Sequence, residues 1–594
     1  MLPNRCQKRA SLATIPNVPV LRCAPWQPLF ISHRKSFVNV FSRRFERAAA
    51  AAAVVALIAL LAACSKDSDA PAVGAADPSA PVAGGTLVYL EQQAHNNLYP
   101  PNGGFYPNSG VLNQVTDKLT YQDPKTLKVG PWIAESWTVN EAVTEYTFKL
   151  REGVTFSDGT PLDAVAVAKN YDTFGKGNKE LKLPVSEVIN NYDRSEVIDP
   201  RTVKFYFRKA SPGFLQGTSV IGSGLVSLAT LARPFDELGD ATKIIGSGAF
   251  VVTSETLGKE LVLTARKDYK WGPTTLAHQG RALLDEIKII VTPEDSVRIG
   301  ALVAGQAGFI RQVQAYDEKR VLDSGFDIFA PSTRGVNNSL YFRPDNALVA
   351  DLRVRQALLH ATNAKEIVAT LYSPNYPQAT SVIAATAAGY VDLSAKLGYD
   401  EAKAKQLLDE AGWTAGADGV RSKNGQALEL RVHEALPQPQ SKELLQLVAQ
   451  QWARIGVKLV VLTGDAGSKV IDNLDPSKTA LLHTMVGRAD PDVVKSQFYP
   501  TNRNVLLQKG GVSDKVKTFE DAKLNAILEG IAGEVDPSKR LALVGEAQNY
   551  LIDQAYVIPV FEEPQAFAGA PWVKSVSYDA VARPSFYTTW LAKH

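Results

Sequence analysis

YTFKLREGVTFSDGTPL, Tyr146 to Leu162, is the stretch from which the fold of this 594-residue chain can be read. Tyr146, Phe148 and Leu150 alternate with Thr147 and Lys149, the period of a strand with one buried face. Val154 and Phe156 make a second short run, and Asp158-Gly159 turns the chain. Thr160 then stands where a helix N-cap belongs, with Pro161 at the first helical position and Asp163 three residues after the cap. Strand, turn and helix start within twenty residues point to an α/β protein.

The same grammar recurs downstream. Asp400 is placed to cap a helix that carries Leu407 and Leu408 inside and stops at Gly412. Leu444, Val448, Trp452 and Ile455 fall at helical spacing, Gly456 ends that helix, and Val457–Leu462 reads as a strand. Asp536-Pro537 opens a further helix through Leu541, Val544 and Leu551, with a strand over Val557–Phe561. Alternating helices and strands of this kind imply mixed or parallel sheets.

Upstream the chain changes character. Residues 48–64 read AAAAAAVVALIALLAAC behind Arg43, Arg44 and Arg47. A basic run, a short apolar run and small residues before a cysteine form an export signal, and the apolar part is shorter than the roughly 20 residues a membrane-spanning helix needs. Leu61-Ala62-Ala63-Cys64 resembles a bacterial lipobox, which makes Cys64 the expected site of lipidation. Residues 1–63 are expected to be a signal peptide; the part before the arginines is expected to be an extension ahead of a start near Val38 or Val40. Residues 64–83, rich in Ala, Pro, Ser and Asp, are too poor in hydrophobic residues to order themselves and read as a flexible tether.

Charge follows the same division. The chain carries +3, but residues 1–63 hold nine Lys and Arg against Glu46 alone, so the remainder is acidic at −5. The basic character belongs to the leader and gives no support to nucleic-acid binding. Beyond the leader Cys64 is the only cysteine, so no disulfide framework is expected.

Motifs for catalysis are absent from the sequence: no Walker loop, no G-x-S-x-G, no H-E-x-x-H and no glycine-rich dinucleotide turn. His95, His278, His360, His433, His483 and His594 show no ligand spacing, which argues against a zinc site. The chain is expected not to be an enzyme and to need no cofactor and no metal.

Seven or more blocks, in order, carry a family resemblance. Pro131–Trp137 (PWIAESW), Tyr146–Val154 (YTFKLREGV) and Phe156–Leu162 (FSDGTPL) look like the signature of family 5 solute-binding proteins, the extracytoplasmic receptors of peptide, nickel and related ABC importers. Ile245–Phe250 (IGSGAF), Lys267–Trp271 (KDYKW), Leu284–Ile287 (LDEI), Asp351–Leu358 (DLRVRQAL), Ala402–Leu408 (AKAKQLL) and the Ile455-Gly456-Val457 corner continue it. The resemblance implies a two-lobed periplasmic-binding-protein clamshell with an extra inserted subdomain, class II of the peptide-binding type. Lobe I is expected over 84–119, 244–332 and 568–594, the inserted subdomain over 120–243, and lobe II over 333–567. The two crossings, near Ser332 and Phe567, would form the hinge.

It also implies a function: capture of a small solute in the interlobe cleft and delivery to an ABC importer's permease subunits and ATPases. The protein would work as a monomer on the outer side of a bacterial membrane, held there by its lipid. The alternatives are a ligand-sensing or chaperone-like lipoprotein of the same fold, or a secreted hydrolase. Peptide-binding relatives use an aspartate of lobe II against the ligand's α-ammonium, and Asp490 in Val486–Asp492 (VGRADPD) aligns with it. Arg488 departs from the family pattern. Its planar fork suits a carboxylate, sulfonate or phosphate, so the solute is expected to be peptide-like or otherwise zwitterionic or anionic. The alternative is that Arg488 simply pairs with Asp490 or Asp492. In the family the end of the first strand faces the cleft, which makes Gln93, His95 and Asn96 ligand candidates, with Tyr106 as a lid or stacking group. Loop capping is the competing role for Asn96 and Asn97.

Overall fold

The structure, a computed structural model, describes residues 80–435, 438, 440–464, 466–507 and 519–593. The signal segment, Cys64 and the tether up to residue 79 lie outside the described residues. Two separate hydrophobic cores organise the rest. One gathers residues between Leu87 and Val321 together with Ala566–Tyr587; the other runs from Val336 to Phe561.

The first core is built on a seven-stranded sheet. Its order is Asp327–Phe329, Phe567–Gly569, Phe309–Arg311, Thr86–Glu91, Glu286–Val291, Glu260–Ala265, Phe250–Thr256. The opening strand Thr86–Glu91 lies centrally and pairs in parallel with both neighbours. Such a strand is covered on both faces, which is why TLVYLE is nearly continuously apolar.

A four-stranded antiparallel sheet follows in the order Ala134–Val139, Glu145–Leu150, Thr202–Phe207, Tyr192–Asp199. Tyr146, Phe148 and Leu150 point into it as their alternation requires, and Lys149 stays exposed. Phe148, Tyr171, Phe205 and Phe214 meet edge-on or tilted at 4.8–6.2 Å between ring centres, so this subdomain is held largely by aromatic contacts.

The helix after this signature strand starts later than the Thr160-Pro161 pattern predicts. Phe156 N–H donates to Thr160 O and Leu162 N–H to Val154 O, so residues 154–162 close a tight hairpin around Asp158-Gly159. Thr160 spends its own N–H and hydroxyl on Asp158 Oδ1, at 2.9 and 2.6 Å. With the Leu162 N–H committed to the hairpin, the helix begins at Ala164 and Asp163 is its cap, accepting from Ala166 N at 2.9 Å. Asp163→Ala should therefore cost about 1 kcal/mol, read as a lower urea midpoint, whereas Thr160→Val should leave the helix start in place.

The second core surrounds strand Val336–Phe342, which lies between Leu481–Val486 and Val557–Phe561 and pairs antiparallel with both. A parallel pair, Glu429–His433 with Lys458–Leu462, adjoins it. The caps read from sequence are present here. Asp400 accepts from Lys403 N, and Asp536 accepts from Ser538 N and Lys539 N with Pro537 opening the helix. Leu444, Val448, Trp452 and Ile455 are buried, and Trp452 Nε1 donates to Thr362 Oγ1 at 2.9 Å. Leu408 is buried, while Leu407 is only half-buried.

The chain passes between the cores twice, and the two crossings pair with each other. Ser332 bridges Pro564, Thr333 N–H donates to Glu563 O, and Gln565 N–H donates to Pro331 O. Phe567 already pairs with Arg311 and Phe329 in the first sheet, which sets the second crossing at 562–565. Among the described residues no helix is long and apolar enough to cross a membrane.

Candidate functional site

The two lobes meet along a seam that holds three compartments. The first, of about 130 Å³, has apolar walls from Tyr121, Trp132, Ile221 and Tyr269, with Arg488 entering from the second lobe. The next, about 170 Å³, lies between Tyr106, Arg311 and Glu563. The third, about 640 Å³, separates residues 185–191 from His433, His483 and Gln497. Gly104, Gly487 and Arg583 border both the first and second compartments, and Ser186 and Glu187 both the first and third.

Side chains close this seam from both sides. Arg503 of the second lobe forms a bidentate pair with Glu187 at 2.7 and 3.0 Å. Asn190 Nδ2 donates to Asp492 Oδ2 at 2.9 Å, and Arg334 donates to Ala580 O and Pro124 O at 2.7 and 2.8 Å.

The loop Val486–Asp492 follows strand Leu481–Val486 directly into the seam. Asp490 receives Arg540 Nη2 at 2.7 Å and Nη1 at 3.2 Å, and the Asp492 N–H at 2.8 Å. Burial works to raise its pKa, but the Arg540 charge and hydrogen bonds, with Arg488 behind them, hold the Asp490 carboxyl below its ordinary value. Asp492 goes the other way: burial, with Asp490 adding, raises it against the pull of Arg488. Arg488 gives Nη2 to Asp492 Oδ2 at 3.2 Å, so the pairing considered from sequence is present. It uses only one corner of the fork. Nε and Nη1 are buried without a hydrogen-bond partner among the described residues.

The sequence candidates divide. Arg488 and Tyr106 stand on the seam. The Tyr106 hydroxyl donates to Val581 O at 2.8 Å, and its ring lies under Arg583 and Arg311 at 5.2 and 5.7 Å. Asp490 is beside the seam, tied to Arg540. Gln93, His95 and Asn96 are elsewhere, Gln93 and His95 on a cleft of about 20 Å³ at the end of the opening strand and His95 and Asn96 on an open one of about 650 Å³ beside residues 236–243. His95 Nε2 lies 3.0 Å from Glu255 Oε1 and 3.1 Å from Gly239 O. Asn96 exchanges hydrogen bonds with Asn108 at 2.9 Å each, which braces the loop against helix Tyr106–Val115.

Residues that sequence reading did not single out complete the walls. Lys118 reaches Asn113 Oδ1 at 2.7 Å and lies 5.3 Å over the Trp132 ring; burial pulls it down to about 8. Its neighbour Asp117 is pushed up to about 6 by burial, against hydrogen bonds from Trp271 and Tyr269. Neither has a local sequence signal. Among the described residues no group of three or more His, Cys, Asp or Glu is placed to hold a metal.

Glu563, at the second crossing, is pushed up to about 7 by burial, with Asn338 Nδ2 at 2.9 Å and the Arg311 charge opposing. A folded-state pKa above the unfolded one contributes stability that is present below about pH 4.5 and lost as pH rises through 7. Glu563→Gln should remove that slope. The variant should match the parent near pH 5 and exceed it by about 2–3 kcal/mol at pH 8 in urea unfolding. Parallel stability curves for the two proteins would contradict this.

Comparison with known proteins places this geometry. Residues 128–503 match the bacterial extracellular solute-binding proteins, family 5, over the middle region of that family. The glutathione-binding protein GsiB of Salmonella paratyphi A is 25% identical over 481 residues, which is 77% of this chain and 86% of the relative. GsiB of Escherichia coli K12 is 27% identical over 377 residues, 62% of this chain and 68% of its own. The crystal structure of NikA from Brucella suis with Fe(III)-EDTA superposes with a TM-score of 0.70 at 25% identity, covering 85% of this chain and all of that one. The oligopeptide-binding protein AppA of Bacillus subtilis, solved with a nonapeptide, shares the fold at a TM-score of 0.72 and 20% identity, over 86% of this chain and 100% of its own.

Proposed function

Because the chain belongs to the family 5 bacterial extracellular solute-binding proteins, we propose that it takes up a small peptide-like, zwitterionic or anionic solute in the interlobe seam and passes it to the permease of an ABC importer. The relatives compared are substrate-binding proteins rather than enzymes. The observation that most supports the reading is Arg488, a buried guanidinium with two unpartnered nitrogens on the wall of a compartment formed by both lobes. A solute bridging the two walls would favour the closed arrangement, since hinge closure follows from contacts made only when the lobes meet. Two short paired crossings are a suitable pivot.

The test is a thermal-shift screen of the purified protein with reduced glutathione, di- to pentapeptides and small organic acids, followed by calorimetry. At least one zwitterionic or anionic compound should raise the melting temperature and bind at one site per chain. A screen answered only by uncharged sugars or by bare metal ions would overturn the assignment of solute class.

The export and anchoring part of the reading rests on residues 43–64. Cys64 would carry the lipid and the stretch to residue 83 would be the tether. Cys64→Ser should move the protein from the membrane fraction to the soluble fraction or leave it unprocessed. A fully processed Cys64→Ser protein that still sediments with membranes would remove the lipid anchor.

A further inference from the structure

Resting on the receptor reading above, we infer that the seam holds its solute by an acid group, carboxylate, sulfonate or phosphonate, at Arg488 and does not read an ammonium at Asp490, because Arg540 already occupies that carboxylate. The charged groups on the first compartment supply the argument. Its acids are satisfied by the protein. Asp117 takes hydrogen bonds from Trp271 Nε1 and Tyr269 at 2.8 and 3.1 Å. Glu187 is held by Arg503 through both oxygens. Asp579 Oδ1 accepts from Val581 N and Arg583 N at 3.0 and 2.9 Å.

Among the unpartnered polar atoms on this wall the charged ones are cationic, while Trp132 Nε1, the Tyr578 hydroxyl and Gln216 Oε1 are neutral. Arg488 has Nε and Nη1 unpartnered among the described residues, and Arg583 has Nε. Nε and Nη1 lie on different edges of the guanidinium and Asp492 holds the Nη2 between them, so an acid group would meet Arg488 through a single charge-assisted hydrogen bond at Nε or at Nη1. Lys118, on the opposite lobe and on the same compartment, adds a second positive charge. Neither Asp490 nor Asp492 is on the wall of any of the three compartments. An ammonium would have to displace Arg540 from a bidentate ion pair to reach Asp490, and the arginine would then be left buried without its partner.

Arg540 is thus a specificity-determining residue that acts through Asp490. It converts a carboxylate suited to an amine into a neutral pair and leaves Arg488, bound to Asp492 through Nη2 alone, as the cation with hydrogen bonds to spare. The apolar walls given by Trp132, Tyr121 and Ile221 suit an acid with an aromatic or branched body.

A matched panel tests this on the full chain. The probes are phenylalanine-containing di- and tripeptides, their N-acetyl forms and their C-terminal amides, with simple aromatic carboxylates and alkylamines, each measured by calorimetry. N-acetylation should change affinity by less than about threefold, whereas amidation of the acid should weaken binding at least about thirtyfold, the cost of leaving a buried charge unpaired. Arg488→Gln should abolish the distinction between acid and amide. The double variant Asp490→Asn/Arg540→Met, which removes both charges together and so avoids stranding either, should keep acid affinity within about threefold of the parent. Free amines and amides that bind while N-acetyl acids do not would overturn the acid assignment and leave the receptor reading standing. Loss of acid binding in the double variant, with its melting temperature preserved, would do the same. No binding by any probe would instead remove the solute from this seam, and this inference with it.

Discussion

Arg311→Ala should destabilise the protein by about 3–5 kcal/mol, the cost of stranding a buried carboxylate. Arg311 and Glu91 are 5% and 3% exposed, and the guanidinium Nε lies 2.7 and 2.9 Å from the two Glu91 oxygens. Tyr89 and the Gln92 N–H also donate to Glu91, so this carboxylate sits at the end of the central strand with every neighbour arranged for a negative charge. Arg311 itself continues to Gln565 Oε1 at 3.0 Å, at the second crossing. Removing it therefore disturbs the central sheet and the second crossing at once. The double variant Arg311→Met/Glu91→Leu, which removes the charges as a pair, should recover most of the loss, since a buried ion pair can be replaced by well-packed apolar groups at little net cost. Urea unfolding of the three proteins measures both effects. A single variant within 1 kcal/mol of the parent would mean that water reaches the pair.

Gly335→Ala is expected to cost roughly 2–5 kcal/mol and to abolish solute binding in whatever fraction remains folded. Gly335 follows the first crossing with φ +94°, a conformation an L side chain rarely adopts. A Cβ there would lie 2.2 Å from Val486 O and 2.7 Å from Arg488 N. Both are backbone atoms, so no side chain can swing aside. The loop that carries Arg488 must move instead, and an arginine displaced by even an ångström loses its hydrogen bond to Asp492 and its place on the compartment wall. Melting temperature and calorimetry with any compound found by the screen report the two consequences separately. A variant with unchanged affinity would show that Arg488 is not fixed from Gly335.

Much of this architecture is legible in the sequence because it is local. Alternation at Tyr146, Phe148 and Leu150, the Asp400 and Asp536 caps and the helical spacing up to Trp452 are each decided within a dozen residues. Ordered blocks carried the fold class. The helix starts later than the Thr160-Pro161 pattern predicts for a local reason as well: Asp158 and Val154 take the groups that Thr160 and Leu162 would offer to a helix.

The site is less legible because its pairings are distant. Asp490 and Arg540 are 50 positions apart and on different elements, so nothing near Asp490 announces that its charge is already cancelled. The polar run Gln93–Asn97 has the composition of a binding edge, yet His95, Asn96 and Asn97 in it are used by Glu255, Gly239, Asn108 and Phe235 within the first lobe. Polarity at the end of a strand does not distinguish a wall of the seam from a brace behind it.

The Arg503–Glu187 pair at the rim has a consequence for the medium in which such a protein works. Its side chains remain 42% and 36% exposed, whereas those of Arg488 and Asp492 are 5% exposed. Dissolved ions screen charges over about 8–10 Å at 0.1–0.15 M and only about 3 Å at 1 M. Salt therefore loosens the outer clasp while scarcely touching the inner charge. If Arg488 reads the solute as proposed, a brackish environment would shorten the time the jaws stay shut without altering which molecules they prefer, and retention and selectivity would respond to different conditions.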